Sequence, residues 1–147
     1  MKTVFPSTKE AQDKRSWVLV DASDQPVGRV ASKVAAVLRG KNKVYFSPHV
    51  NAGDHVVVVN AAKIRFTGKK LVNKVYRDYT GYIGGLKEIR ADDLLEKKPE
   101  EVIMRAVQGM LPGGPLGRAM LRKLRVYKGT EHPHKAQIGA SAGAGQP

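Results

Sequence analysis

His55-Val-Val-Val-Val-Asn60 is the stretch that decides the fold. Four consecutive valines leave no polar face. A strand here must be buried on both sides, as the strands of a parallel sheet are. Parallel neighbours need a crossover connection, and the preceding residues supply one. Trp17-Val-Leu-Val20 is a second short apolar run, followed by turn chemistry in Asp21-Ala-Ser-Asp-Gln-Pro26. From Gly28 the period changes. Val30, Val34 and Leu38 fall on one helical stripe, widened by Val27, Ala31, Ala35 and Val37. Gly40 ends the pattern, with Arg39, Lys41 and Lys43 around it, where cations suit a helix C-terminus. Strand, helix and strand at this spacing predict a right-handed βαβ unit.

Downstream, residues 61–74 are basic and contain glycine, and Tyr76–Tyr82 predicts another strand that ends at Gly84-Gly85. A short helix is expected over about 92–97. A longer one begins at Pro99-Glu100-Glu101, with proline at the first helical position and acids in the first turn. Its apolar stripe is Val102, Ile103, Ala106, Val107 and Met110, and Pro112 stops it. The whole chain, 1–147, is expected to be one domain. Residues 1–15 are expected to be an N-terminal arm, 16–138 an α/β core with a basic C-terminal segment, and the Gly/Ala-rich 139–147 a flexible tail.

Twenty-six Lys and Arg stand against 13 Asp and Glu, a net charge of +13 and a pI near 10.1. Such an excess repels itself, and a polyanion relieves it. Nucleic acid is the first candidate and an anionic membrane surface the second. The longest apolar run, Val56–Val59, is far short of the roughly 20 residues that span a bilayer. The first residues lack the long apolar run of a signal peptide, and cysteine is absent, which excludes disulfides and thiolate-held zinc. A cytosolic protein is the expectation.

The charge is sorted along the chain. Residues 61–90 hold eight basic and two acidic residues, and 110–138 hold six and one. Between them, 91–101 holds five acids and two lysines. That sorting implies a sided molecule. Placed on one helix, Leu116–Arg125 puts Arg118, Arg122 and Arg125 in a row, suited to phosphates. Lys123 falls in the apolar arc and would have to snorkel out, and Leu124-Arg-Val-Tyr127 also alternates like a strand. Gly113, Gly114 and Gly117 have no side chain to hold RNA away. In the other block, Lys63, Lys69, Lys70 and Lys74 interleave with Tyr76, Tyr79 and Tyr82, which can stack bases or serve as core and sheet residues.

Enzyme motifs fail on inspection. Thr67-Gly-Lys-Lys70 lacks both the first glycine and the final hydroxyl residue of a P-loop. Neither Gly81–Gly85 nor Gly113–Gly117 has dinucleotide spacing. His132-Pro-His134 lacks the companions of a metal site. His49 and His55 flank Asp54 without a nucleophile at a recognised spacing. No catalytic residue, cofactor or metal site is assigned. The leading alternative is a small α/β enzyme using the cations around a pocket for a nucleotide or other phosphorylated substrate. A free DNA-binding module is a third.

Several motifs in order carry a resemblance. They are Val27-Gly-Arg-Val-Ala-Ser32 with Leu38-Arg-Gly-Lys41, and Val58-Val-Asn-Ala-Ala-Lys-Ile64 with Thr67-Gly-Lys-Lys70. Gly81-Tyr-Ile-Gly-Gly-Leu-Lys87 and Met110-Leu-Pro-Gly-Gly-Pro-Leu-Gly-Arg118 follow. Leu124-Arg-Val-Tyr-Lys-Gly129 and His132-Pro-His-Lys-Ala-Gln137 complete the set. Together they resemble the bacterial ribosomal large-subunit protein thirteen family, from about Trp17 to Gln137. The family usually has proline where this chain has Ile83, which bears on the local turn. The resemblance implies a three-layer α/β/α sandwich on a small, mostly parallel four-stranded sheet, with basic extensions. It further implies binding to large-subunit (23S) rRNA, neighbouring ribosomal proteins as partners, a role in subunit assembly and no catalysis. No membrane or small-molecule partner is expected. Members are also reported to bind messenger RNA and repress their own operon, a role left open for this chain. The expected RNA contacts are Arg118, Arg122, Lys123, Arg125, Lys128, Gly113, Gly114 and Gly117, then Lys63, Lys69, Lys70 and Lys74. Arg39, Lys41 and Lys43 form a third cluster, and His132 and His134 join the set.

Overall fold

The computed structural model describes residues 5–142. At its centre are β1 (Trp17–Asp21), β2 (His55–Val59) and β5 (Leu124–Val126), paired in parallel in the order β1-β2-β5. The valine run is therefore the middle strand, which is why it tolerates no polar residue: Val56, Val57 and Val58 have no exposed surface. Helix α2 (Val27–Arg39) crosses over between β1 and β2 and ends at Gly40, whose φ of 81° needs a residue without Cβ. The sheet has three strands where the family resemblance implies four. Further parallel pairing among the described residues is an isolated bridge between Pro26 and Arg65.

Register sorts the two faces. Val56 and Val58, paired with Val18 and Val20 on one side and Leu124 and Val126 on the other, point at α2 and at α5 (Pro99–Met110). Val30, Val34 and Leu38 of α2 and Ile103 and Val107 of α5 close this core. The opposite face carries Trp17, which stacks on His55 at 4.5 Å and on His134 at 5.0 Å. Helix α7 (Lys135–Ala142) follows His134 and packs on β1.

A second sheet stands apart. Strands β3 (Val75–Tyr79) and β4 (Leu86–Arg90) form an antiparallel hairpin, preceded by the short helix α3 (Lys70–Asn73) and followed by α4 (Ala91–Lys97). The strand expected near Tyr76 is β3. Its partner β4 was not foreseen, because Leu86-Lys-Glu-Ile-Arg90 alternates only weakly. The hairpin leans on the body through Arg105 of α5, whose guanidinium holds Asp78 at 2.7 Å and Glu101 at 2.7 Å.

Four expectations change. The row of three arginines on one helix does not form: α6 spans Gly114–Leu121, and Leu124–Val126 leaves as β5 to pair with the valine strand. The stretch expected as an arm carries a helix. α1 (Thr8–Asp13) is started by a capping box between Ser7 and Glu10, and its Ala11 is fully buried with Val50 and Ala52. Residues 139–142 of the expected tail belong to α7; 143–147 lie outside the described residues. Met110 is 45% exposed and does not close the core, whereas Leu111 packs against it.

Candidate nucleic-acid interface

Many of the cations line shallow depressions, three of which adjoin through shared residues. The largest, about 540 Å³, lies between the hairpin and the α2–α5 pair, lined by Gly28, Phe66, Lys70, Lys74, Tyr76, Arg105 and Met110. A second, about 310 Å³, shares Val27, Gly28, Phe66 and Lys70 with it and adds Arg29 and Arg65. A third, about 180 Å³, shares Met110 and runs along α2 past Ser32 and Ala36 to Arg39 and Lys41. A fourth, about 290 Å³, is lined by Gln108, Leu111, Gly113, Gly114, Gly117 and Arg118, around the end of α5. Met110, itself exposed, lines both the first and the third of these. A separate hollow near Phe5, Tyr45 and Phe46 carries less charge and lies apart.

Local sequence explains this surface. On α2 the polar side at helical spacing is Gly28, Arg29, Ser32 and Ala36, all small or cationic, opposite the valine stripe. Gly28 and Arg29 were missed from the sequence, although their position opposite the stripe was the available signal. Arg39 lies 5.9 Å over the Phe46 ring, which fixes it at the helix end. Tyr76 sits beneath Lys74 at 5.2 Å and Arg105 at 5.6 Å. Burial raises its phenol pKa, partly opposed by Arg105.

The structure sorts the expected contacts. Lys63, Lys69, Lys70, Lys74, Arg118, Arg122, Arg125, Lys128 and Lys41 are exposed. Arg118 and Arg122 share the outer side of α6 and its C-cap, while Arg125 projects from β5 and donates to the Arg122 carbonyl oxygen at 2.9 Å. Met110, at the start of the second block, lines the same groove as Lys70, Lys74 and Arg77 of the first, while Arg118 lines the depression at the end of α5.

Lys123, expected among the RNA contacts, is not a surface cation. It is 5% exposed, and its Nζ donates to Asn51 Oδ1 at 2.6 Å, to the Gly53 carbonyl at 2.6 Å and to the Leu38 carbonyl at 3.4 Å. It does not snorkel, because these oxygens meet it inside. Burial pushes its pKa down to about 7, with Arg15 adding to the shift and Asp54 opposing it. Lys43 is likewise turned inward, onto Asp54 at 2.5 Å and the Lys14 carbonyl at 3.0 Å. His134 bonds Tyr127 Oη through Nε2 at 2.8 Å and stacks on Trp17, and His132 tilts on Tyr127. Both serve the second face of the sheet. In the same stack, burial lowers the His55 pKa, helped by Lys123 and Arg15.

The glycines divide too. A Cβ on Gly117 would lie 1.7 Å from the Pro112 carbonyl oxygen, so its bareness serves the chain's own turn into α6. Gly114 has φ of +86° with open space beyond, and Gly113 is open. A side chain at Gly114 would strain the backbone, so its loss would harm folding as well as any contact. The tyrosines differ as well: Tyr76 is packed, while Tyr79 and Tyr82 are 66% and 78% exposed. Among the described residues, no group of three or more His, Cys, Asp or Glu could hold a metal, and no helix is long and apolar enough to cross a membrane.

Fold and surface together define an α/β protein with exposed cations, several of them lining adjoining depressions, the form expected of a protein that meets a polyanion. Residues 15–133 match the family model of ribosomal protein L13. The chain belongs to the ribosomal protein L13 family, a family of ribosomal structural proteins and not of enzymes. It is 54% identical over 137 residues to the large ribosomal subunit protein uL13 of Treponema denticola, covering 93% of this chain and 95% of that one. The protein of the same name from Syntrophomonas wolfei is 56% identical over 137 residues, covering 93% and 94%. That from Pelobacter propionicus is 58% identical over 124 residues, covering 84% and 87%.

Proposed function

We propose that this protein is a structural constituent of the large ribosomal subunit in the cytoplasm, binding large-subunit rRNA through its cationic face and helping the subunit assemble beside neighbouring ribosomal proteins. The observation that carries the reading is the run of adjoining depressions, joined through Gly28, Phe66, Lys70 and Met110, onto which Arg29, Arg39, Lys41, Arg65, Lys70, Lys74 and Arg77 open together although they are far apart in sequence. Lys and Arg displace condensed counterions from phosphates, which supplies affinity. The α/β core holds the cations in one geometry, so RNA segments that touch the hairpin side and the α6 side are held relative to each other. The contacts on this reading are Lys70, Lys74, Arg29, Arg39, Lys41, Arg118 and Arg122, with Lys63, Lys69, Arg125 and Lys128 at the margins. Phosphate contacts carry no sequence information, so the same face would also accept the protein's own messenger RNA.

The test is sedimentation of the full-length protein with intact large subunits through a sucrose gradient at moderate salt. Comigration is expected. A protein found only in the free pool and turning over a nucleotide would return the reading to the phosphate-handling enzyme.

A further inference from the structure

The tip of the β3–β4 hairpin holds apolar side chains that the fold leaves uncovered. Tyr79, Tyr82 and Leu86 are more than half exposed, and Ile83 is 105% exposed. Tyr79 and Leu86 face each other on the last rung of the hairpin. Between 79 and 86 there is no charged residue, so the tip adds nothing to phosphate attraction. It contributes little to the core either.

The tip is nevertheless held in place. Thr80 N–H donates to the Gly85 carbonyl at 3.2 Å, and Gly85 N–H to the Tyr82 carbonyl at 2.9 Å. A Cβ on Gly85 would strike Thr80 Oγ1 at 2.0 Å. One rung below the tip Arg105 grips Asp78, and at the hairpin base Ala91 N–H donates to the Lys74 carbonyl. An isolated two-stranded hairpin is marginal in water, and these ties let this one project.

Exposed aromatic and aliphatic groups suit either an apolar protein surface or unpaired bases. Three observations favour bases. The hairpin is continuous with the cationic groove, whose wall includes Lys74, Tyr76 and Arg77. The chain that leads into it is cationic, at Lys69, Lys70 and Lys74, while the rungs below the tip balance Arg77 with Glu88 and Lys87 with Asp78. At Gly81 and Gly84 an added Cβ would meet nothing, so a flat ring can approach the backbone.

We propose that the hairpin tip is a base-contacting probe, with Tyr79, Tyr82 and Ile83 lying against unpaired bases of the same RNA whose phosphates the groove holds. The proposal rests on the RNA-binding reading above. It assigns the molecule two separable modes: a salt-sensitive grip by the groove, and a stacking contact that depends little on salt.

The test compares the full-length protein with a Tyr82→Ala, Ile83→Ser variant in binding a large-subunit rRNA transcript over a range of salt. Both positions are exposed, so the thermal midpoint should stay unchanged. Affinity should fall roughly ten-fold or more, in keeping with alanine replacement of stacking aromatics, with the slope of log K against log salt unaltered. Tyr82→Phe should keep most of the affinity. In assembled subunits, a photoreactive phenylalanine replacing Ile83 should cross-link to an rRNA base. Equal affinity of wild type and variant, or a cross-link to a ribosomal protein, would overturn the probe, while a steep slope shared by both would leave the groove reading standing. Wild-type protein without salt-dependent RNA binding would sink both.

Discussion

At the scale of the residue, Lys123 shows how a basic side chain can belong to the core. Its ammonium group joins three parts of the chain: the end of α2 through the Leu38 carbonyl, the 51–53 loop through Asn51 and Gly53, and β5 through its own backbone. Gly53 makes this possible, since a Cβ there would lie 1.7 Å from the Leu38 carbonyl oxygen. Lys123→Met should cost about 2–4 kcal/mol, because buried oxygens lose their donor. The pH dependence has a definite sign. The folded-state pKa, near 7, lies below the ordinary 10.5. Between those values the unfolded chain binds the extra proton, so folding stability should rise as pH goes from about 7 toward 10. Urea unfolding at pH 7 and pH 9 checks both statements. Lys123→Met should be less stable at both and lack that rise, and an identical rise in the variant would assign it to other groups. The sequence placed Lys123 in the apolar arc. It could not reveal the oxygens waiting there, which come from residues 70 to 85 positions away.

At the scale of the element, the hairpin turn explains why Ile83 can stand where the family usually has proline. Gly85 N–H bonds the Tyr82 carbonyl, so Tyr82–Gly85 is a four-residue turn. Gly84, at its third position, has φ of +75°, and Ile83 has no positive φ. This is a type II turn, which takes proline at the second position and glycine at the third. Ile83→Pro should therefore fold and gain about 0.4–1 kcal/mol by restricting the unfolded chain. A lowered midpoint in thermal melting would mean that the second position is not in the proline region. The α6–β5 junction teaches the opposite lesson. Helical periodicity continued through Arg125, but pairing with the buried valine strand outweighs local periodicity, so Leu124–Val126 becomes a strand.

At the scale of the whole molecule, the net charge of +13 becomes useful only once it is sorted in space. Arg118→Ala with Arg122→Ala should flatten the slope of log K against log salt for rRNA binding by roughly 1 to 2 units, as two phosphate contacts are lost. Both side chains are exposed, so the thermal midpoint should hold. Lys123→Met should leave the slope untouched wherever the protein is folded. An unchanged slope in the arginine variant would move the RNA contact to another face.

The amino-acid sequence by itself determined the βαβ unit, the positions of α2, α4 and α5, and the surplus and segregation of charge. These depend on residues near one another in the chain: periodicity, caps, turn residues and composition. Only the tertiary structure decided which cations face solvent, that Lys123 and Lys43 are spent inside, and that Gly117 answers to Pro112. It also brought cations of α2 and of the 65–77 stretch onto adjoining depressions and left the hairpin tip exposed. Each of those outcomes turns on which distant backbone oxygen, carboxylate or ring arrives beside a side chain, and packing alone sets that distance.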